Sequence, residues 1–122
     1  MITKTQLPTV IQSFINALNS HDGDGFIACF ANDALCNDFQ RNFWGVDAIK
    51  KWSDKEMIGD KITFKIDEAV EHYGEYLITA LTDGTYDKSK SPDPTYLDYF
   101  FAVRGEKIVR LLITKNREKS AK

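Results

Sequence analysis

The chain has 122 residues, 43% of them hydrophobic, the size and composition of one domain with one sizeable core. A net charge of -2 gives no electrostatic reason to expect nucleic acid or an anionic membrane as a partner. The apolar runs are far too short to span a bilayer, and the N-terminal stretch with Lys4, Gln6 and Pro8 lacks a long apolar segment, so cytoplasmic residence is the expectation.

The first helix is the clearest element. Leu7, Val10, Ile11, Phe14, Ile15 and Leu18 recur on one helical face, with Thr5 placed as N-cap and Pro8 tolerated in the first turn. Gln12, Ser13, Asn16 and Asn19 fill the polar side. A short second helix is expected from about Gly25 to Phe30, entered through Asp22-Gly23-Asp24, where either aspartate can cap its free amides. Ala31-Asn32-Asp33-Ala34 then reads as a turn into a strand over about Leu35 to Phe39. A second strand around Asn42 to Trp44 ends at Gly45, and a third helix runs from Val46 to about Lys55 with Ala48, Ile49 and Trp52 as its apolar face.

The rest of the chain is mostly strand. Ile62, Phe64, Ile66, Glu68, Val70 and His72 share one parity, and Lys61, Thr63, Lys65, Asp67 and Glu71 share the other. A bulge near Asp67-Glu68-Ala69 would send Glu68 to solvent. Tyr73-Gly74-Glu75 turns into a fourth strand, Tyr76 to Thr82, and the polar, proline-bearing segment from Asp87 to Thr95 is a loop. Strands five and six, Tyr96 to Val103 and Ile108 to Lys115, pair across Arg104-Gly105-Glu106-Lys107, and Asn116 to Lys122 is a charged tail expected to fray. No repeat or boundary divides residues 1–122. Helices early and strands late argue for an α+β fold rather than a parallel α/β sheet. Patterning alone stops at a curved antiparallel sheet packed on helices.

Few residues carry chemistry. The two cysteines, Cys29 and Cys36, have no zinc or redox spacing and read as buried, reduced thiols. The two histidines, His21 and His72, share no ligand spacing, and no Gly-rich phosphate loop is present, so neither a metal nor an organic cofactor is expected. Glu68 and His72, four residues apart on a strand, are separated by roughly 13 Å and form no hydrogen-bonded dyad. Asp38 shares a strand face with Cys36, so a buried Cys36 carries Asp38 inward; the alternative is a strand-end aspartate paired with Arg41. Asp98, within Tyr96-Leu97-Asp98-Tyr99-Phe100-Phe101, must be paired, neutral or functional, and its structural alternatives are hydrogen bonds or an ion pair with Arg104 or Arg110.

The order of elements through Asn19–Asp38, followed by Gly45-Val46-Asp47-Ala48-Ile49-Lys50-Lys51-Trp52, resembles the nuclear-transport-factor-2-like superfamily, and within it the SnoaL-like polyketide cyclases and ketosteroid isomerases. The resemblance runs from about Leu7 to Leu112 and is specific for fold but much less so for function, because that fold serves isomerases, dehydratases, hydrolases, cyclases and non-catalytic binders. It implies a strongly curved mixed sheet wrapped around three helices as a cone with an apolar pocket. Phe30–Asp38 matches the ketosteroid-isomerase pattern without a gap, placing Asp38 where that family keeps its general base. The Asp98-Tyr99-Phe100 segment is similar to the one whose aspartic acid hydrogen-bonds the substrate oxyanion. Related dehydratases use an Asp/His pair, which keeps His72 among the site residues. The pocket-lining set implied is Phe14, Phe39, Trp52, Phe64, Glu68, His72, Tyr96 and Phe100.

One position departs from the pattern. The family's helix-one tyrosine, its principal oxyanion donor, is Phe14 here, and losing such a donor costs about 3–4 kcal/mol of transition-state stabilisation. Tyr76, Tyr86, Tyr96 and Tyr99 are the hydroxyls available from other walls. On this reading Phe14→Tyr should restore weak isomerisation of a β,γ-unsaturated ketone. Two functions follow: a cofactor-independent isomerase, cyclase or dehydratase using Asp38 and Asp98, or a non-catalytic binder of a small apolar molecule. Apolar side chains on both parities of the last strands, together with the resemblance, predict a homodimer across the outer sheet face.

Overall fold

The computed structural model describes residues 2–3, 6–89 and 94–120. Thr5 and part of the Asp87–Thr95 loop lie outside the described residues. The elements are α1 (Thr9–Asn19), α2 (Gly23–Ile27), β1 (Phe30–Asp38), β2 (Arg41–Trp44), α3 (Gly45–Glu56), β3 (Thr63–His72), β4 (Glu75–Asp83), β5 (Thr95–Arg104), β6 (Lys107–Lys115) and α4 (Arg117–Ser120). The strands form one six-stranded sheet in the order β2-β1-β6-β5-β4-β3. The β1–β6 pair is parallel and the others are antiparallel, so the sheet is mixed, curved and unclosed, with α1–α3 packed inside it.

The core is aromatic at its centre. Phe14 is fully buried, its ring 5.0 Å from Phe26, 5.1 Å from Phe101, 6.1 Å from Phe64 and 6.2 Å from Phe30. Asn19 fastens the end of α1 to β3: its side chain accepts from Phe64 N at 2.7 Å and donates to Phe64 O at 3.0 Å, satisfying backbone groups that no strand neighbour reaches. Cys29 and Cys36 are free and buried. Burial, and secondarily the Asp38 carboxylate, pushes the Cys36 thiol far up, so it is inert as a nucleophile.

Several expectations shift. Pro8, not Thr5, is the residue preceding the first helical turn. The second helix is displaced toward the N-terminus, with Asp22 as its cap: Gly25 N donates to Asp22 Oδ1 at 3.0 Å. A Cβ on Gly25 would come within 2.5 Å of that carboxylate, so a side chain there would displace the capping group. Phe30 consequently opens β1, and the turn expected at Ala31–Ala34 is instead an irregular stretch of strand, where pairing with β6 shifts between Phe30↔Ile108 and Leu35↔Arg110. The tail does not begin to fray at Asn116. Asn116 Oδ1 accepts from Lys119 N at 2.8 Å at the start of α4, and Lys119 pairs with Asp67 at 2.8 Å.

The bulge in β3 lies between Ile66 and Glu68. An extra residue resets the alternation. Phe64 and Ile66 face inward before it, Ala69 is fully buried after it, and Glu68, Val70 and His72 turn outward. The single parity expected for Ile62 through His72 therefore holds only up to the bulge. Among the described residues, no helix is long and apolar enough to cross a membrane.

Candidate functional site

A cavity of about 220 Å³ opens at one end of the curved sheet. The C-terminal ends of β1, β4 and β6, the N-terminal end of β5, the last turn of α3 and the segment after it converge there. Its wall is largely apolar through Met57, Ile62, Leu97 and Ile113, with Asp38, Glu56 and Asp60 as its carboxylates. The rim is tightly built. A Cβ on Gly84 would meet Asp60 O at 2.7 Å and Ile62 Cδ1 at 2.8 Å, so a side chain there would force apart two lining residues.

Asp38 reaches the cavity because β1 pairs in parallel with β6. One row of partners runs Asp38↔Ile113↔Tyr99↔Ile78 across the sheet, all on the inner face. Asp38 and Tyr99 thus stand two strand spacings apart, roughly 10 Å between backbones. The Asp38 side chain is 15% exposed, and its Oδ2 accepts from Trp52 Nε1 at 3.1 Å and from the Arg41 guanidinium at 2.7 Å. Arg41 continues to Glu56 at 2.7 and 3.0 Å, joining β2 to the end of α3. Asp38 Oδ1 has no hydrogen-bond donor among the described residues.

Burial pushes the Asp38 carboxyl above its ordinary range, against the opposing Trp52 indole and Arg41 guanidinium, with Glu56 adding to the rise. Glu56 moves the other way, lowered chiefly by its hydrogen bonds to Arg41. The turn that follows Asp38 is backbone-strained: Phe39 and Gln40 both have positive φ, 51° and 70°, in a two-residue link normally made by Asn-Gly. Opposite Asp38, the buried Tyr99 hydroxyl lies 3.0 Å from Thr82 Oγ1, and burial holds that phenol protonated.

Asp98 lies elsewhere. Its backbone pairs with Thr79 and Thr114 on the outer row, and its Oδ1 accepts from Thr79 Oγ1 at 2.6 Å and Asn116 Nδ2 at 3.0 Å. The two carboxylates do not share a cavity: Asp98 is absent from its wall and is hydrogen-bonded on the outer face, while Arg110 pairs with Glu75. Asp98→Asn is therefore expected to cost roughly 1 kcal/mol of stability while leaving ligand affinity in the cavity unchanged, as paired denaturation and binding titrations would show.

Of the other expected lining residues, Phe39 lines the cavity, half exposed at its mouth. Phe14, Trp52 and Phe64 are buried behind the wall: Trp52 acts through Asp38, and Phe64 packs 4.5 Å from Tyr99. Glu68, His72, Tyr96 and Phe100 are on the outer side, which corrects their assignment; the bulge moved the first two, and strand parity places the others opposite Tyr99. Glu56, Asp60, Thr82, Thr95 and Leu97 are lining residues outside the expected set; among the hydroxyls offered by the sequence, Tyr86 and Tyr99 reach the wall. Their only sequence signal was position at strand or helix ends. Among the described residues no three His, Cys, Asp or Glu side chains are grouped to hold a metal ion.

No protein-family model matches the chain, and no curated protein matches it in sequence. Solved structures do. A Sinorhizobium meliloti protein, provisionally described as a polyketide cyclase, superimposes with a TM-score of 0.81 at 25% identity, over 93% of this chain and 100% of that one. A Catenulispora acidiphila protein with a ketosteroid isomerase-like fold, in complex with trimethylamine, gives 0.74 at 17% identity over 91% and 88%. A Mycobacterium tuberculosis protein in complex with estradiol-17β-hemisuccinate gives 0.71 at 15% identity over 90% and 93%. The fold is that of the nuclear-transport-factor-2-like superfamily. Within it, the chain's structural neighbours include polyketide-cyclase and ketosteroid-isomerase-like proteins.

Proposed function

We propose that the cavity binds a compact, largely apolar small molecule and that Asp38 is the group that handles its polar atom. The observation supporting this is the setting of Asp38: a desolvated carboxylate in an apolar wall, with one oxygen held by Trp52 and Arg41 and the other without a donor among the described residues. Small molecules bound by structural neighbours agree with a ligand pocket in this fold. Binding without turnover is the first reading, because Asp98 lies outside the cavity and Phe14 brings no hydroxyl. Cofactor-independent acid–base chemistry, as an isomerase, cyclase or dehydratase, is the second. What favours it is the raised Asp38 carboxyl in the same wall as the Tyr99–Thr82 hydroxyl pair. A fragment screen by protein NMR tests the site: ligands should perturb Asp38, Thr82, Tyr99 and Ile113 together, and binders that perturb only other surfaces would sink it.

The outer sheet face supports a homodimer. Val70, Leu77, Phe100, Ala102 and Leu112 lie there, with Val70 42% and Leu112 36% exposed. Two-fold self-association buries such a patch. Light scattering should return twice the monomer mass; a monomer at high micromolar concentration would count against it.

A further inference from the structure

We infer that the cavity selects a compact protonated amine over neutral and anionic molecules of the same shape. This rests on the cavity being the ligand site and adds the charge class of its occupant. Three carboxylates line it, Asp38, Glu56 and Asp60, and no lysine, arginine or histidine does. The adjacent cation, Arg41, is committed: its terminal nitrogens go to Glu56 and Asp38, and its Nε donates to the Asp38 carbonyl at 3.4 Å. One guanidinium against three carboxylates leaves acidic groups in excess at the mouth. The Asp60 carboxylate has no hydrogen-bond or ion-pair partner among the described residues.

The buried polar atoms of the wall also favour a donor. Thr82 Oγ1 lies 3.4 Å from the Ala80 carbonyl, to which it donates, so it accepts from the Tyr99 hydroxyl at 3.0 Å. The Tyr99 oxygen, in a side chain only 1% exposed, then offers its remaining lone pair as an acceptor. Asp38 Oδ1, which has no donor among the described residues, is a further acceptor. Aromatic rings complete the environment: Phe39 and Tyr99 line the cavity and attract a cation, whereas the Tyr86 ring already has Lys88 Nζ 5.6 Å from its centroid. An anion would meet like charge and no cationic donor in the wall, and a neutral molecule would leave the Asp60 carboxylate unpaired. At about 220 Å³ the space is below the ~300–1,000 Å³ usual for ligand pockets. A single-ring molecule fits that scale.

The test is an NMR titration of the full chain at neutral pH with benzylamine, benzyl alcohol and benzoate, which share a ring and differ in charge. Benzylamine should bind about tenfold or more tightly than benzyl alcohol, shifting Asp38 and Tyr99, and benzoate should not compete. Asp60→Asn should weaken benzylamine severalfold and affect benzyl alcohol far less. Alcohol or benzoate binding in the cavity as tightly as the amine overturns the charge class but leaves the pocket standing. An unchanged benzylamine affinity in Asp60→Asn overturns the carboxylate origin. Cavity residues unmoved by all three probes at millimolar concentration overturn the inference and the pocket reading together.

Discussion

Phe14→Ala is expected to remove about 3–5 kcal/mol of stability, lowering the melting temperature by roughly 10–20 °C. The ring is fully buried where α1, α2, β1, β3 and β5 meet, against four other rings. Such a cluster collapses poorly around a cavity, because rigid rings cannot slide into the space one of them leaves. Phe14→Tyr separates the two roles considered for this position. The new hydroxyl would be placed among apolar rings and would cost about 1–3 kcal/mol unsatisfied. It would not reach the cavity, whose wall does not include residue 14. The structure therefore withdraws the expectation that Phe14→Tyr creates ketone isomerisation. Calorimetry showing Phe14→Ala within 1 kcal/mol of the parent would refute its central place in the core.

Asp38→Asn should act on function and stability in opposite directions. An amide keeps the shape and still accepts from Trp52, but it neither takes a proton nor holds a negative charge. Any turnover in the cavity is expected to fall by about 10²–10⁴-fold, and amine affinity to fall with it. Stability at neutral pH should rise by about 1 kcal/mol, as is common when a strained functional group is relaxed. The sign comes from linkage. Burial raises the folded-state pKa of Asp38, so the folded chain holds that proton more tightly than the unfolded chain does. Its contribution is fully present below the unfolded carboxylate value and is lost as pH rises through the folded one. The stability gap between Asn variant and parent should thus be small at acid pH and open as pH rises above the ordinary carboxylate range. Glu56 runs oppositely: lowered by Arg41, it contributes stability at neutral pH that is lost as pH falls through its folded value. A variant less stable than its parent at neutral pH would make Asp38 an ion-pair strut and remove it from the site.

Parts of this arrangement are legible in the residues themselves. The apolar face of α1, the helix starting at Gly45, the last four strands and the shared face of Cys36 and Asp38 all follow from local periodicity, which the backbone repeats of 3.6 and 2 enforce. The pairing of Asp38 with Arg41 was also within reach, since a two-residue link leaves those side chains adjacent. The turn itself was hidden, because Phe39 and Gln40 carry no signal for positive φ.

What the sequence determined alone is that each element has two unlike faces and roughly where it begins and ends. Which face points at the cavity was decided by tertiary structure. On β5 both faces carry aromatic residues, so alternation could not say whether Asp98 or Tyr99 turned inward; packing against Phe64 and the helices chose Tyr99. On β3 the bulge between Ile66 and Glu68 reversed the faces for every later residue and carried Glu68 and His72 outward. The parallel pairing of β1 with β6 joined segments more than seventy residues apart and set Asp38 in one row with Tyr99. No local pattern encodes that pairing, because it exists only when the intervening strands have folded back to supply the edge that β1 completes.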